Sequence, residues 1–118
     1  MADNHALPRV FLRSLMLVAL EEGDTHGYDL TERMWAMGLA TADLAGVYRT
    51  LRALEQERLV ESWWEPSESG PQRRVYRLND AGLTEAEYQI EWLGGVREML
   101  GRVVGVTHSG PGRLGSSR

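Results

Sequence analysis

Hydrophobic residues recur at helical spacing in four stretches of this 118-residue chain, and polar or glycine-containing breaks separate these stretches. In the first stretch, after Pro8, apolar residues nearly surround the helix axis; they are Val10, Phe11, Leu15, Leu17, Val18 and Leu20. A helix that is apolar on more than one side is buried on more than one side. We therefore expect the first helix to pack both on its own core and on a second copy of the chain.

The second predicted helix begins after Gly23, which ends the first, and it stops at Gly38. Asp24 or Thr25 is the candidate N-cap residue. The predicted apolar side of this helix consists of Tyr28, Leu30, Met34 and Trp35.

The third predicted helix runs from residue 42 to about residue 58, with Thr41 as the candidate N-cap residue. Its apolar residues recur at three- or four-residue steps; they are Leu44, Val47, Leu51, Leu54 and Leu59. The face opposite this stripe carries Asp43, Gly46, Arg49, Thr50 and Arg52. That polar face is expected to remain free of the core.

Two strand-like segments follow, at residues 59–65 and 75–78. Pro66, Gly70 and Pro71 lie between them and are expected to exclude regular pairing there, which leaves a long polar tip. A helix carrying arginines, followed by a hairpin carrying arginines, is the order of a winged helix-turn-helix, a unit that reads duplex DNA. The predicted fold is therefore mainly α with a small β-hairpin.

The last predicted helix is capped by Asn79 or Asp80 and carries a nearly seven-residue apolar repeat at Leu83, Ala86, Ile90, Leu93, Leu100 and Val103. Because a domain of this size has no second helix to cover such a seam, we expect a homodimer. The predicted dimer contacts are Phe11, Leu15, Leu83, Ile90, Leu93 and Leu100. The predicted organisation is an N-terminal tail at 1–7, a winged helix-turn-helix DNA-binding domain at 8–78, a C-terminal dimerisation helix at 79–106 and a flexible tail at 107–118.

Composition limits the function classes. The absence of cysteine excludes disulfides, thiolate zinc sites and cysteine nucleophiles. The apolar runs fall short of the ~20 residues that span a bilayer, and the N-terminus lacks the order of a signal peptide, so we predict a cytoplasmic protein without a membrane partner. The serines lie in no nucleophile motif and the histidines lack metal-ligand spacing, so we predict neither an enzyme nor a metal or cofactor.

Charge distribution decides between two kinds of partner. The formal net charge of −4 favours an alternative in which the winged helix is a protein-interaction module that binds a partner protein. However, all 13 basic residues are arginine, and Arg73, Arg74 and Arg77 lie together between Ser69 and Asn79 without an acidic residue. This local patch favours double-stranded DNA as the partner.

The candidate contacts on the third helix are Arg49 and Arg52. A guanidinium there can fork onto a guanine edge or a phosphate; otherwise it pairs with Glu55 or Glu57 on a solvated face. Tyr48 is either part of the core or a donor to a phosphate.

In the hairpin, Gln72, Arg73 and Arg74 follow the polar tip and are suited to the DNA backbone or the minor groove. Arg77 could equally pair with Glu61 across the two strands.

Four tryptophans are many for this length. Trp63 and Trp64 are expected on opposite faces of one strand, one in the core and one partly exposed. Trp35 and Trp92 lie on helices, where packing is the commoner role and stacking of a planar ligand is the alternative. Together with Tyr88, these two helical tryptophans are the candidate residues for binding a small aromatic effector.

Three segments give the chain a family resemblance: HGYDL at 26–30, VYRTLRALEQERLV at 47–60 and SWWEPSESGPQRRVYRLNDAG at 62–82. With the apolar helix that follows, they resemble the PadR-like transcriptional regulators, in particular the short subfamily with a single C-terminal helix. The resemblance covers roughly residues 8–104. It implies a homodimeric repressor in which the third helix enters the major groove and the wing touches the flanking backbone.

The resemblance also implies residue roles and an effector. The DNA-contacting set predicted for this chain is Tyr28, Thr41, Gly46, Tyr48, Arg49, Arg52, Gln72, Arg73 and Arg74. The first and last helices would form the dimer interface. Family members often respond to phenolic acids or planar compounds, some of them stacked between subunits near the C-terminal helices, and this implies a small aromatic or phenolic effector that releases the repressor.

Overall fold

The structure, a computed structural model, describes residues 7–108, with side chains to Val106. A short 3-10 turn at Arg9–Phe11 leads into α1 (Leu12–Leu20), β1 (Thr25–His26), α2 (Gly27–Ala36), α3 (Leu44–Gln56), β2 (Val60–Ser67), β3 (Gly70–Leu78) and α4 (Asp80–His108). This order confirms the predicted mainly α fold with a winged helix-turn-helix and a long C-terminal helix. Of the predicted tails at 1–7 and 107–118, residues 1–6 and 109–118 lie outside the described residues. Leu7 packs against the core and donates its N–H to the Gly38 carbonyl at 3.0 Å, and helix α4 includes residues 107 and 108.

One hydrophobic core joins the three helices of the winged domain. Its fully buried side chains include Met16 and Leu17 from α1, Leu30 from α2, and Leu51 and Leu54 from α3. Helix α1 is buried over a wide sector, as its pattern predicted. Val10 at its start is 79% exposed, because the chain enters α1 through the 3-10 turn on the surface.

The start of α2 differs from the prediction. Neither Asp24 nor Thr25 caps it; Thr25 pairs with Tyr76 and His26 with Val75, so these two residues form a third strand at the edge of the sheet. The three antiparallel strands lie in the order β1, β3, β2. The apolar side predicted for α2 was also wider than the side that is buried in the structure. Of its four members only Leu30 and Met34 are buried, and the other two, Tyr28 and Trp35, are 58% and 47% exposed.

Helix α3 begins two residues later than predicted, because Asp43 caps it instead of Thr41. An Asp43 carboxylate oxygen accepts the Gly46 N–H at 2.9 Å. Leu44, placed by the sequence in the apolar stripe, is 42% exposed at the first position of the helix. After the helix ends at Gln56, Arg58 lies in the left-handed region with φ 63°, and its carbonyl accepts the Asn79 side-chain amide at 2.8 Å.

The hairpin, called the wing below, is longer and its tip shorter than predicted. Pairing of β2 with β3 continues to Ser67 and Gly70, so only two residues form the turn. Pro66 is accommodated by an irregularity in the register between Glu65 and Ser67. The prediction that one of the two neighbouring tryptophans is a core residue was wrong, since Trp63 is only half-buried and Trp64 is 57% exposed.

Helix α4 has two halves with different surroundings. Its start is fixed by Asn79, whose side-chain oxygen accepts the Gly82 N–H at 2.8 Å, and by Ala86, which is fully buried in the core. Beyond Val96, every described side chain of α4 is exposed. Within residues 7–108, no helix is long and apolar enough to cross a membrane.

Three of the predicted dimer contacts pack on the core of their own chain. Leu15 is only 7% exposed, and Phe11 and Leu93 are partly buried against the same cluster. The first helix was assigned to a partner because it is apolar on more than one side, and Leu93 because of the seven-residue repeat, but neither pattern says which surface covers these side chains. Leu83, Ile90 and Leu100 are 42%, 44% and 54% exposed and remain predicted contacts.

Candidate nucleic-acid interface

Helix α3 and the wing enclose an open groove of about 620 Å³, called the α3–wing groove below. Six of the nine predicted DNA-contacting residues line it: Tyr28, Tyr48, Arg52, Gln72, Arg73 and Arg74. Helix α2 supplies the first of these, α3 the next two and β3 the remaining three. The fold therefore brings together, on one surface, residues that are up to 46 positions apart in the chain.

The floor of the groove is aromatic. The rings of Tyr48 on α3 and Tyr76 on β3 lie 6.3 Å apart in a tilted arrangement. Helix α2 can approach this pair because Gly27 has no side chain: a Cβ there would lie 2.5 Å from the Tyr48 ring. Tyr48 is therefore half-buried, with its ring against α2 and packed on the core cluster.

Burial raises the pKa of Tyr76 above its ordinary value of 10.0, and Tyr48 and Glu55 act in the same direction. Arg74 acts against this rise, through its charge and a hydrogen bond. The phenol of Tyr76 is therefore neutral at physiological pH and adds no negative charge to the groove.

Arg74 is the most constrained arginine of the groove. Its guanidinium lies 5.0 Å from the centre of the Trp64 ring, and its Nη2 is 3.8 Å from a carboxylate oxygen of Glu55. Glu55 also accepts a hydrogen bond from the Ser62 hydroxyl. Cross-strand pairing of Trp64 with Arg74 explains the stacking, because directly opposed residues on adjacent strands share a face.

The other arginines of this surface are not paired with carboxylates. Within residues 7–108, Arg49, Arg52 and Arg73 form no ion pair. The carboxylates that the sequence offered to α3 are engaged elsewhere, since Glu55 contacts Arg74 and Glu57 accepts a 2.6 Å bond from Arg13. Arg49 and Arg52 therefore lie exposed on α3 without the ion pairs to Glu55 or Glu57 that the alternative expected.

Three predicted contacts lie outside the groove, at the start of α3. Thr41 and Arg49 are exposed there, and Gly46 is buried beneath them in the first turn. Arg9 reaches the same place from the turn before α1, and its Nη1 donates to the Thr41 carbonyl at 3.2 Å. Arg77, in contrast, lies on the outer face of the wing, 3.8 Å from Glu61, the alternative that the sequence had left open.

Sequence reasoning missed two features of this surface. Trp64 and Glu55 both line the groove, and the strand alternation that places Arg74 and Tyr76 on one face could have identified the first of them. No sequence signal could have found Arg9, because it meets Thr41 across 32 positions of the chain.

The structure does not bring the candidate effector residues together within one chain. Trp35 donates its indole N–H to the Ala42 carbonyl at 2.7 Å, near the end of α2. Trp92 packs against Phe11 with ring centres 6.1 Å apart, and Tyr88 is 60% exposed on α4. Among the described residues, no ring contact joins Trp35 to the other two.

Comparison with known proteins identifies the family. The family model described as the transcriptional regulator PadR-like family matches residues 16–88 of this chain. No curated protein sequence matches this chain.

Solved structures share the fold. A PadR-like transcriptional regulator from Bacillus cereus strain ATCC 14579 superposes with a TM-score of 0.72 at 23% identity, over 81% of this chain and 93% of that one. A PadR family transcription regulator from Clostridium difficile R20291 gives 0.71 at 20% identity, over 80% and 99%. A PadR family transcriptional regulator from Eggerthella lenta DSM 2243 gives 0.68 at 26% identity, over 81% and 83%.

The matched residues run from α1 into the first half of α4 and include the whole α3–wing groove. Members of this family are transcriptional regulators and not enzymes, in agreement with the prediction from the sequence. The chain therefore belongs to the PadR-like family and is a DNA-binding transcriptional regulator.

Proposed function

We propose that this regulator is a homodimeric repressor, that α3 and the wing of each subunit bind operator DNA, and that a small aromatic effector releases it. The observation that carries the proposal is the absence of carboxylate partners, within residues 7–108, for Arg49, Arg52 and Arg73. The whole chain has a formal net charge of −4, so these three arginines make their surface more positive than the chain as a whole. Guanidiniums without a carboxylate are available to phosphate oxygens and guanine edges.

The proposed contacts divide by position. Arg49 and Arg52 project from the exposed side of α3 and read base edges in the major groove. Gln72, Arg73 and Arg74 lie on the wing and contact the flanking backbone or the minor groove. Tyr48 is half-buried, so its ring supports the groove, and its hydroxyl is the group proposed to donate to a phosphate.

Homodimer formation is supported by the far half of α4. Leu100 and Val104 are each more than half exposed, and they lie beyond Val96, where every described side chain of α4 is exposed. An exposed apolar seam of this kind is covered by a partner helix, and a second copy supplies an identical one. We further propose that the effector binds near Trp92, where the two copies meet, and that the protein is located in the cytoplasm with its operator.

The experiment that tests the proposal is binding to DNA from the protein's own promoter region, across a salt series and with non-specific competitor. We expect binding that survives competitor, with log affinity falling steeply as log salt rises. Arg49→Ala should lower operator affinity about tenfold, the effect of one lost charged hydrogen-bond pair. The matched control is Arg77→Ala, which removes an arginine already paired with Glu61 and should change affinity less than about twofold.

Two outcomes contradict the proposal. Wild-type binding that does not exceed the competitor level would favour the alternative in which the acidic surface binds a partner protein. An Arg49→Ala variant that binds the operator as tightly as the wild type would show that α3 does not read DNA through this residue.

A further inference from the structure

Arg9 lies in the turn before α1, outside α3 and the wing, yet its guanidinium reaches the first turn of α3. Its Nη1 donates to the Thr41 carbonyl at 3.2 Å, which fixes the direction of the side chain. Its Nη2 lies 3.2 Å from the point where a Cβ on Gly46 would be. Arg9 is exposed, so its remaining N–H donors face solvent rather than the core.

A second guanidinium approaches the same glycine. Arg49 Nη2 lies 3.6 Å from that same point on Gly46. The nearby carboxylate is Asp43, and its Oδ1 already accepts the Gly46 N–H as the helix cap. Within residues 7–108, neither arginine forms an ion pair. Two guanidiniums therefore lie near a single carboxylate, whose charge offsets only one of theirs, and a bound phosphate would supply the second negative charge.

We propose that Arg9 binds a phosphate of the DNA backbone at the first turn of α3, beside the base edge that Arg49 reads. The inference rests on the proposed function, because it requires α3 to enter the major groove. A backbone phosphate is the favoured partner, since Arg9 comes from a turn outside the recognition helix and is tethered to the Thr41 carbonyl. A contact of this kind sets the position of the helix on the duplex and carries no sequence information.

The test compares Arg9→Gln with the wild type on operator and competitor DNA across a salt series. Glutamine removes the charge and keeps a polar side chain, but its amide nitrogen ends two bonds short of the Nη1 position, so the hydrogen bond to the Thr41 carbonyl is lost as well. We expect the slope of log affinity against log salt to fall by about 0.9, the value for one phosphate contact. We also expect about tenfold weaker binding at about 0.1 M salt, by the same factor on both DNAs, so that the specificity ratio is unchanged.

Two further variants separate charge from structure. Arg9→Lys keeps the positive charge, and its salt slope should stay close to that of the wild type. Arg77→Gln is the matched control, because it removes the same charge from an arginine paired with Glu61, and its slope should equal that of the wild type. The melting temperature of each variant shows whether losing the hydrogen bond from Arg9 to the Thr41 carbonyl destabilises the fold.

The outcomes that overturn the inference differ from those that overturn the proposed function. If the wild type does not bind DNA above competitor level, the proposed function fails and this inference fails with it. If the wild type binds and Arg9→Gln keeps its affinity and slope, only the inference fails. Weaker binding with an unchanged slope and a lower melting temperature would show that Arg9 only supports the start of α3. A changed specificity ratio would mean that Arg9 reads bases.

Discussion

The α3–wing groove and the far half of α4 are both exposed. They differ in how far their side chains contact one another within one chain. Groove residues interact with one another: Arg74 stacks on Trp64 and contacts Glu55, and the Tyr48 and Tyr76 rings lie together. From Arg97 to Val106, in contrast, every side chain of α4 is exposed. The groove is thus a preformed surface, whereas this part of α4 presents the exposed apolar side chains that we proposed as the dimer seam.

Because of this difference, mutations in the two regions should affect different properties of the protein. A preformed polar groove binds a rigid partner without first ordering its own side chains. An exposed apolar helix contributes little stability alone and gains it by association. We therefore expect changes in the groove to alter DNA binding with little effect on folding, and changes in far α4 to alter assembly. Changes at the junction of α4 with the winged domain should affect folding itself.

The largest expected effect is at that junction, in Gly82→Ala. A Cβ on Gly82 would lie 2.1 Å from the Leu59 carbonyl oxygen and 2.9 Å from a Leu78 methyl group. Because backbone must move to remove this clash, the free energy of unfolding should fall by about 3 kcal/mol, measured by urea denaturation.

The matched control for that prediction is Gly95→Ala in the same helix, where nothing lies within 4 Å of the added Cβ. Alanine in a helix interior is favoured over glycine, so this variant should gain about 0.5–1 kcal/mol. Equal changes in stability at the two glycines would mean that α4 is packed no more tightly at Gly82 than at Gly95.

The next effect is on assembly, in Leu100→Asp. Leu100 is 54% exposed and on the predicted seam, so a charge there should weaken the dimer at least about 100-fold, or ~3 kcal/mol, without unfolding the chain. Molar mass by light scattering and circular dichroism measure the two properties. Met99→Asp is the control, because Met99 is equally exposed at 53% but lies off that seam. A dimer that persists in Leu100→Asp would place the interface on another face of α4.

A smaller effect is expected in the groove, from Glu55→Gln. Glu55 holds Arg74 at 3.8 Å and would face the phosphates of bound DNA. Removing its charge frees Arg74 and lowers repulsion, so operator affinity should rise about fivefold, or ~1 kcal/mol, with a steeper salt dependence. Glu61→Gln removes the same charge from the outer face of the wing and should change affinity much less. A fall in affinity would show that Glu55 positions Arg74 for the contact.

The sequence predicted elements better than contacts between them. Period and turn residues were sufficient for four helices and a hairpin, and six of the nine predicted contacts line one groove. The two-residue strand β1 was missed because Thr25 and His26 pair only with β3, which lies 49 positions further along. Leu15 and Leu93 were assigned to a partner because an apolar pattern does not say which surface covers it.

The smallest expected effect is an alkaline loss of stability that depends on Tyr76, at the floor of the groove. Burial, followed by Tyr48 and Glu55, raises the pKa of its phenol in the folded chain above the ordinary value of 10.0, against the opposing effect of Arg74. The unfolded chain therefore releases this proton first as pH rises. The stability linked to Tyr76 is fully present below about pH 10 and is lost as pH increases through the higher folded pKa.

Denaturation of the wild type and Tyr76→Phe at several pH values from neutral to above pH 10 measures this loss, because the difference between the two curves removes the contribution of every other titrating group. The wild-type free energy of unfolding should fall more steeply above about pH 10 than that of Tyr76→Phe. In the Glu55→Gln background the difference should shrink, since Glu55 is one cause of the raised pKa. Parallel curves for wild type and Tyr76→Phe would mean that the groove opens to water around Tyr76, and the groove would then not be the preformed surface that distinguishes it from far α4.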